Sequence, residues 1–196
     1  MVHPQPYPPV AGLLKQETDQ RHRALEARLE PQLARLSSVD AYAQLLRTFY
    51  GFYAPLETAI ESVLPGNLLP DLAGRRKAAL LLGDLQAIGQ PAEHIPLCAP
   101  PPLESPAAAF GALYVLEGST LGGRFIVRMI STALPDLPES ALTFFRGYGP
   151  DTGPMWLRFQ AALSNWGTQN DPAPAVDAAN RTFETFDAWI QQNQPR

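Results

Sequence analysis

Ala107-Ala108-Ala109-Phe110-Gly111-Ala112-Leu113-Tyr114-Val115-Leu116-Glu117-Gly118-Ser119-Thr120-Leu121-Gly122-Gly123-Arg124-Phe125-Ile126-Val127-Arg128 is an apolar run of helical character with glycines set into its middle. Ser105-Pro106 just before it is a cap and first-turn pair, and the pattern predicts a helix from there to about Leu134. A glycine inside a helix costs about 1 kcal/mol relative to alanine. Gly118, Gly122 and Gly123 together therefore point to a bend, or to backbone that must lie close to something flat. Gly118 and Gly122 fall on one helical face. Two readings stand side by side: close helix–helix packing through small residues, or a flat ligand against bare backbone.

Outward from this stretch the chain reads as all-α. Its 196 residues hold 27 Ala and 27 Leu against 7 Val and 6 Ile, so good helix formers dominate and strand formers are scarce. Proline clusters act as punctuation. Residues 1–11 read as a flexible Pro-rich arm and 12–192 as one domain. Helices are predicted over about 12–36, with Pro31 a possible break; over 39–64, with Ser38 or Asp40 as cap and Pro55 as a kink; and over 71–88. Shorter ones follow over 138–146, 154–166 and 174–192. The net charge of −4 disfavours nucleic acid or an anionic membrane as main partner. A single cysteine, Cys98, excludes an intramolecular disulfide and a multi-thiolate metal site. Met1-Val2-His3-Pro4-Gln5-Pro6 has no basic stretch leading into an apolar one, and the longest uncharged apolar run is too short for a bilayer, so a cytoplasmic location is expected.

A second segment carries chemistry. In Leu14-Lys15-Gln16-Glu17-Thr18-Asp19-Gln20-Arg21-His22-Arg23-Ala24-Leu25-Glu26, His22 shares a helical stripe with Leu14, Thr18, Leu25 and Leu29, and is expected to face the interior. Glu26 lies one turn on. A carboxylate there can take the Nδ1 proton and leave Nε2 as a lone-pair donor to a metal; a satisfied core histidine or a solvated His–Glu pair explains the same spacing. His3 and His94 compete poorly, one in the arm and one in a proline-flanked loop. A histidine–carboxylate helix and a glycine-bent helix fit together as the two faces of a haem sandwich.

On these residues the sequence resembles the haem oxygenase family, and is most similar to bacterial members associated with bacteriophytochromes. The resemblance rests on Leu14-Lys15 through Thr18-x-x-x-His22-x-x-x-Glu26, on Ala112 to Gly123, and on Tyr148-Gly149 followed by Trp156-x-x-Phe159; it runs over about residues 12–190. It implies a compact helical fold with haem between the first helix and the glycine-bearing one. His22 would be the iron ligand and Glu26 its partner, with Gly118, Gly122 and Gly123 as the opposite wall and Tyr114 in the same binding set. The implied activity is O₂- and electron-dependent cleavage of haem to biliverdin, Fe(II) and CO, with haem as both cofactor and substrate. The implied partners are an electron donor such as ferredoxin or a reductase, and a bacteriophytochrome receiving biliverdin. Mammalian relatives carry an aspartate where this chain has Ser119, so Ser119 and Tyr53 are the candidates for ordering the catalytic water. Lys15 and Arg128 match basic positions that would hold the propionates, with Arg158 and Arg181 behind them. Rival readings are a non-catalytic haem carrier or sensor on the same fold, and a thiaminase-like enzyme, for which Cys98 would have to be a nucleophile.

Overall fold

The computed structural model describes residues 10–193, which fold into helices with no strand among them. Helix α1 (Val10–Ala34) begins two residues inside the predicted arm, because Val10 is buried against Gly167; a Cβ there would stand 2.2 Å from the valine. The rest of the predicted arm, His3 included, lies outside the described residues. Pro31 is accommodated inside α1.

Helix α2 (Val39–Val63) is capped by Ser38, whose hydroxyl accepts from the Ala41 N–H at 3.1 Å, and it ends at Leu64, before Pro65. The predicted third helix is shorter than its pattern. A 3₁₀ turn occupies Leu72–Arg75 and α3 starts only at Ala78 (Ala78–Ala87). Arg75 and Lys77 are turned into the core, where they meet a buried carboxylate, and this tertiary demand overrides local helix preference.

Helix α4 (Pro106–Ser119) has the predicted cap, Ser105 accepting from Ala108 N–H at 3.2 Å. The predicted run to Leu134 breaks at the glycines: a 3₁₀ turn spans Thr120–Gly122, and α5 (Gly123–Ala133) follows. Helices α6 (Thr143–Arg146), α7 (Thr152–Gly167) and α8 (Ala173–Gln192) complete the chain.

Helix α8 packs against α1, α2 and α4. Gly111 of α4 lets the Ala175 carbonyl approach so closely that a Cβ would meet it at 2.0 Å. Trp189 donates from its indole N–H to the Thr48 carbonyl at 2.8 Å. Against α1, Arg28 forms a fork with Asp187, and Arg21 pairs with Glu184 at 2.6 Å. Phe49, Phe52, Tyr53, Phe144, Phe145 and Phe186 form one aromatic cluster between α2, α6 and α8. It is this cluster that fixes the bearing of Tyr53.

Candidate functional site

His22 does not face the interior. Its side chain is 50% exposed although Leu14, Thr18 and Leu25 on the same stripe are buried, so the stripe opens to solvent at the histidine. One edge of the imidazole meets the ring of Phe183 on α8, centroids 5.8 Å apart and nearly perpendicular. Glu26 is exposed as well, and it is Nε2 rather than Nδ1 that faces its carboxylate, at 3.6 Å, beyond direct hydrogen-bond reach. The expected Nδ1 contact is therefore not formed here, and both side chains have room to turn.

The same α8 face leads to the other segment. Phe186, one turn past Phe183, stacks on Phe52 and lies edge-on to Tyr53 at 6.3 Å. The Tyr53 hydroxyl is 2.9 Å from Ser119 Oγ. The two candidates for ordering water thus meet, 66 positions apart. Ser119 Oγ also donates to the Leu116 carbonyl at 2.8 Å, and a serine has one proton, so Tyr53 donates and Ser119 accepts. Burial pushes the Tyr53 phenol well above its usual range, and the nearby charges of Glu57 and Glu117 add to this, so it stays a proton donor.

The three glycines separate into two kinds. A Cβ on Gly123 would stand 2.1 Å from the Phe145 carbonyl, so its bareness is explained by α6 packing onto α5; for Gly123 the packing reading replaces the open-wall one. Gly118 and Gly122 have no atom within 4 Å of where a Cβ would be. Among the described residues, no packing contact from outside their own helical turn requires those two to be glycine. Nearby, Leu121 and Phe125 are 51% and 58% exposed, an apolar pair bared at the same turn. The turn therefore offers bare backbone at two positions with exposed apolar side chains beside it, and the half-exposed imidazole stands on the helix that packs against α5.

Of the remaining candidates, Lys15 and Arg128 are exposed, on α1 and α5. Arg181 is exposed on α8. Arg158 on α7 lies 3.5 Å from Asp71, the residue before the Leu72–Arg75 turn. Tyr114 is half-buried, its ring 5.7 Å from that of Trp156, with its phenol beside Thr18; it serves the packing of α4 against α1 and α7. Cys98 is buried in the crossover between α3 and α4, its N–H on the Gly51 carbonyl at 2.8 Å, and burial pushes the thiol up. Its thiol lies 3.4 Å from the Ala99 carbonyl, and among the described residues no ionisable partner lowers it toward the thiolate.

Sequence reasoning missed the groups behind the glycine turn. Glu117, 1% exposed, is gripped by Arg75, by Lys77 Nζ at 2.6 Å and by the Tyr148 hydroxyl at 2.7 Å. Arg75 in turn holds Asp71 through two bonds of 2.8 Å. Burial pulls the Lys77 amine down from its usual range. The signal was a lone carboxylate in an otherwise apolar helix, which requires buried cations from elsewhere. On the outer side of this cluster lies a cavity of about 1030 Å³, lined by Leu68, Asp71, Tyr148, Met155, Arg158 and Trp166. It is remote from His22 in lining, and none of the predicted haem contacts except Arg158 borders it.

A family model described as heme oxygenase matches residues 9–192. The chain belongs to the haem oxygenase family. A curated "Heme oxygenase" from Xanthomonas campestris pv. campestris (strain 8004) is 40% identical over 124 residues, covering 63% of this chain and 72% of the relative. Among solved structures, the NO- and CO-bound heme oxygenase from Neisseria meningitidis superposes with a TM-score of 0.80 at 20% identity, covering 94% of this chain and 91% of that one. Heme oxygenase 2 from Chlamydomonas reinhardtii, without heme, gives 0.78 at 17% identity over 97% and 98% of the two chains. A haem oxygenase is an oxidoreductase with haem as substrate, and the all-helical fold read from the sequence is the fold of these relatives. Among the described residues, no helix is long and apolar enough to cross a membrane.

Proposed function

We propose that this chain binds haem between α1 and the α4–α5 turn and opens its ring, with O₂ and electrons from a donor such as ferredoxin or a reductase, to biliverdin, Fe(II) and CO. The observation that carries the reading is the pair Gly118 and Gly122, whose open face no other described element covers, beside the exposed Leu121 and Phe125 and on the side where α5 meets α1. Bound haem supplies the iron that activates O₂ and the ring that is oxidised; the chain supplies ligation, orientation and proton control.

His22 is the iron ligand in this reading. To present Nε2 it turns so that Nδ1 faces Glu26, and exposure of both side chains leaves that turn free. Phe183 limits the ring on its α8 side. Gly118 and Gly122 admit the flat face of the macrocycle against backbone. Ser119, already accepting a hydrogen bond from Tyr53 and donating its own to the Leu116 carbonyl, keeps an oxygen lone pair with which to hold a water beside the turn. Tyr53, kept protonated, fixes Ser119 in that role. Lys15 and Arg128 hold the propionates at the rim. The biliverdin product would supply a bacteriophytochrome in the cytoplasm, which the sequence resemblance supports.

An optical titration with hemin, then a ferredoxin system in air, tests this. Saturation at one hemin per chain, followed by loss of the haem band and growth of a biliverdin band, is expected. Gly122→Leu should retain the fold and lose hemin binding, since its new side chain meets only open space in the free protein. Stoichiometric binding without ring opening would favour a carrier, and no binding would refute the site.

A further inference from the structure

The glycine turn is clamped at both ends and bare in the middle. At its start, Glu117 is held by its side chain through Arg75, Lys77 and Tyr148, and by its carbonyl, which accepts from the Thr120 hydroxyl at 2.7 Å and from the Thr120 N–H. At its end, Gly123 lies against the Phe145 carbonyl. Between these anchors stand Gly118, Ser119 and Gly122. The Glu117 anchor is built from four different elements: the Leu72–Arg75 turn, the Lys77 junction before α3, α4 itself, and Tyr148 after α6. Lys77 also reaches the Arg75 carbonyl at 2.9 Å and lies over the Tyr148 ring, 4.8 Å from its centroid, so the three partners of Glu117 hold one another as well.

We propose that Glu117 is a positioning residue for the reaction: locked from the core side by Arg75, Lys77 and Tyr148, it sets the angle of the Gly118–Gly122 turn and with it the hydrogen bond between Ser119 and Tyr53. A carboxylate held at once by a guanidinium, an ammonium and a phenol is fixed from the core side, whereas an apolar residue at the same place would leave the last turn of α4 free to fray. The turn is made of glycines on its open face, which give it no side-chain packing of its own. Its order has to come from behind. The catalytic consequence rests on the haem reading; the control of the turn does not.

Amide hydrogen exchange on the haem-free protein tests the second point separately from the first. In Glu117→Gln, exchange over 118–123 should speed up at least tenfold more than over the α8 core segment 178–186. Tyr148→Phe, which removes one donor and leaves both cations, should show the same local pattern more weakly and keeps the test alive if the first variant does not fold. Acceleration spread evenly over both segments, or none, would overturn the proposal. In the hemin-loaded protein, Glu117→Gln should bind hemin with a Kd within threefold of the parent while the ring-opening rate falls at least tenfold, with no recovery in Glu117→Gln/Lys77→Met, which removes the stranded ammonium and restores no anchor. Loss of hemin affinity in proportion to rate would overturn the positioning role. If the parent itself fails to bind hemin, the exchange result still decides whether Glu117 governs the turn.

Discussion

The two helices assigned to the haem faces are built in opposite ways. On α1, the proposed pair His22 and Glu26 is exposed, unlinked by any direct hydrogen bond, and His22 meets the ring of Phe183 on one side. Behind the α4–α5 turn, a carboxylate, a guanidinium and an ammonium are buried to 3% exposure or less and bonded to one another. An imidazole that must adapt to a ligand gains from freedom, while a featureless glycine backbone has to be held from its far side. The contrast predicts that mutations on α1 damage activity without damaging the fold, and that mutations behind the turn do both.

The largest functional effect falls on α1. His22→Ala should abolish the ferric haem spectrum of the parent and turnover with it, while folding stability changes by no more than about 0.5 kcal/mol, as for other exposed sites. A thermal melt of the haem-free variant beside a hemin titration checks both halves. A parental spectrum would break the assignment, and a large drop in Tm would break the contrast.

Behind the turn the order reverses. Arg75→Met strands Asp71 and weakens the grip on Glu117 in the interior. Removing one partner of a buried ion pair costs about 3–5 kcal/mol, or about 6–20 °C in Tm for a chain of this size. Calorimetry on the haem-free protein measures it. A shift below about 2 °C would show that the cluster contributes little to the fold.

The same contrast explains what the sequence disclosed. Helix extents were legible where caps and apolar period agree, as at Ser38 for α2 and Ser105-Pro106 for α4. They were misjudged where a buried charge decides: Arg75 and Lys77 delay a helix that their neighbours' pattern begins at 71, because Glu117, 42 and 40 residues away, requires them. His22 was legible as chemistry and misplaced in burial, since periodicity gives a residue's face and not how far the neighbouring helix covers it. The glycines were legible as a group; only the distance from Phe145 to Gly123 separates the packing one from the two that are free. Tyr53 and Ser119 were named from their places in the resemblance, and their direct hydrogen bond needed the fold.

The smallest effect is a pH dependence that reaches the cluster from its solvent edge. Arg75 holds the Asp71 carboxyl below its ordinary value of 3.8 through their paired hydrogen bonds, outweighing the opposing effect of partial burial. A carboxyl with a lowered folded pKa adds stability that is complete above its unfolded value and vanishes as pH falls through the folded one. Burial raises Glu57 and Asp84 instead, so their contribution has the other sign and favours the fold as pH falls toward their raised values. The parent should therefore hold its Tm down to about pH 4 and lose it more steeply below, where Asp71 alone of the three is being forced to protonate against its partner. Asp71→Asn should start from a lower Tm at neutral pH and show a shallower acid limb, because the group that titrates there is gone. Since Asp71 is more than a third exposed, the difference should shrink in high salt. Parallel acid limbs for the two proteins would mean that the Arg75–Asp71 pair adds nothing to the anchor, and that Lys77 and Tyr148 hold Glu117 without it.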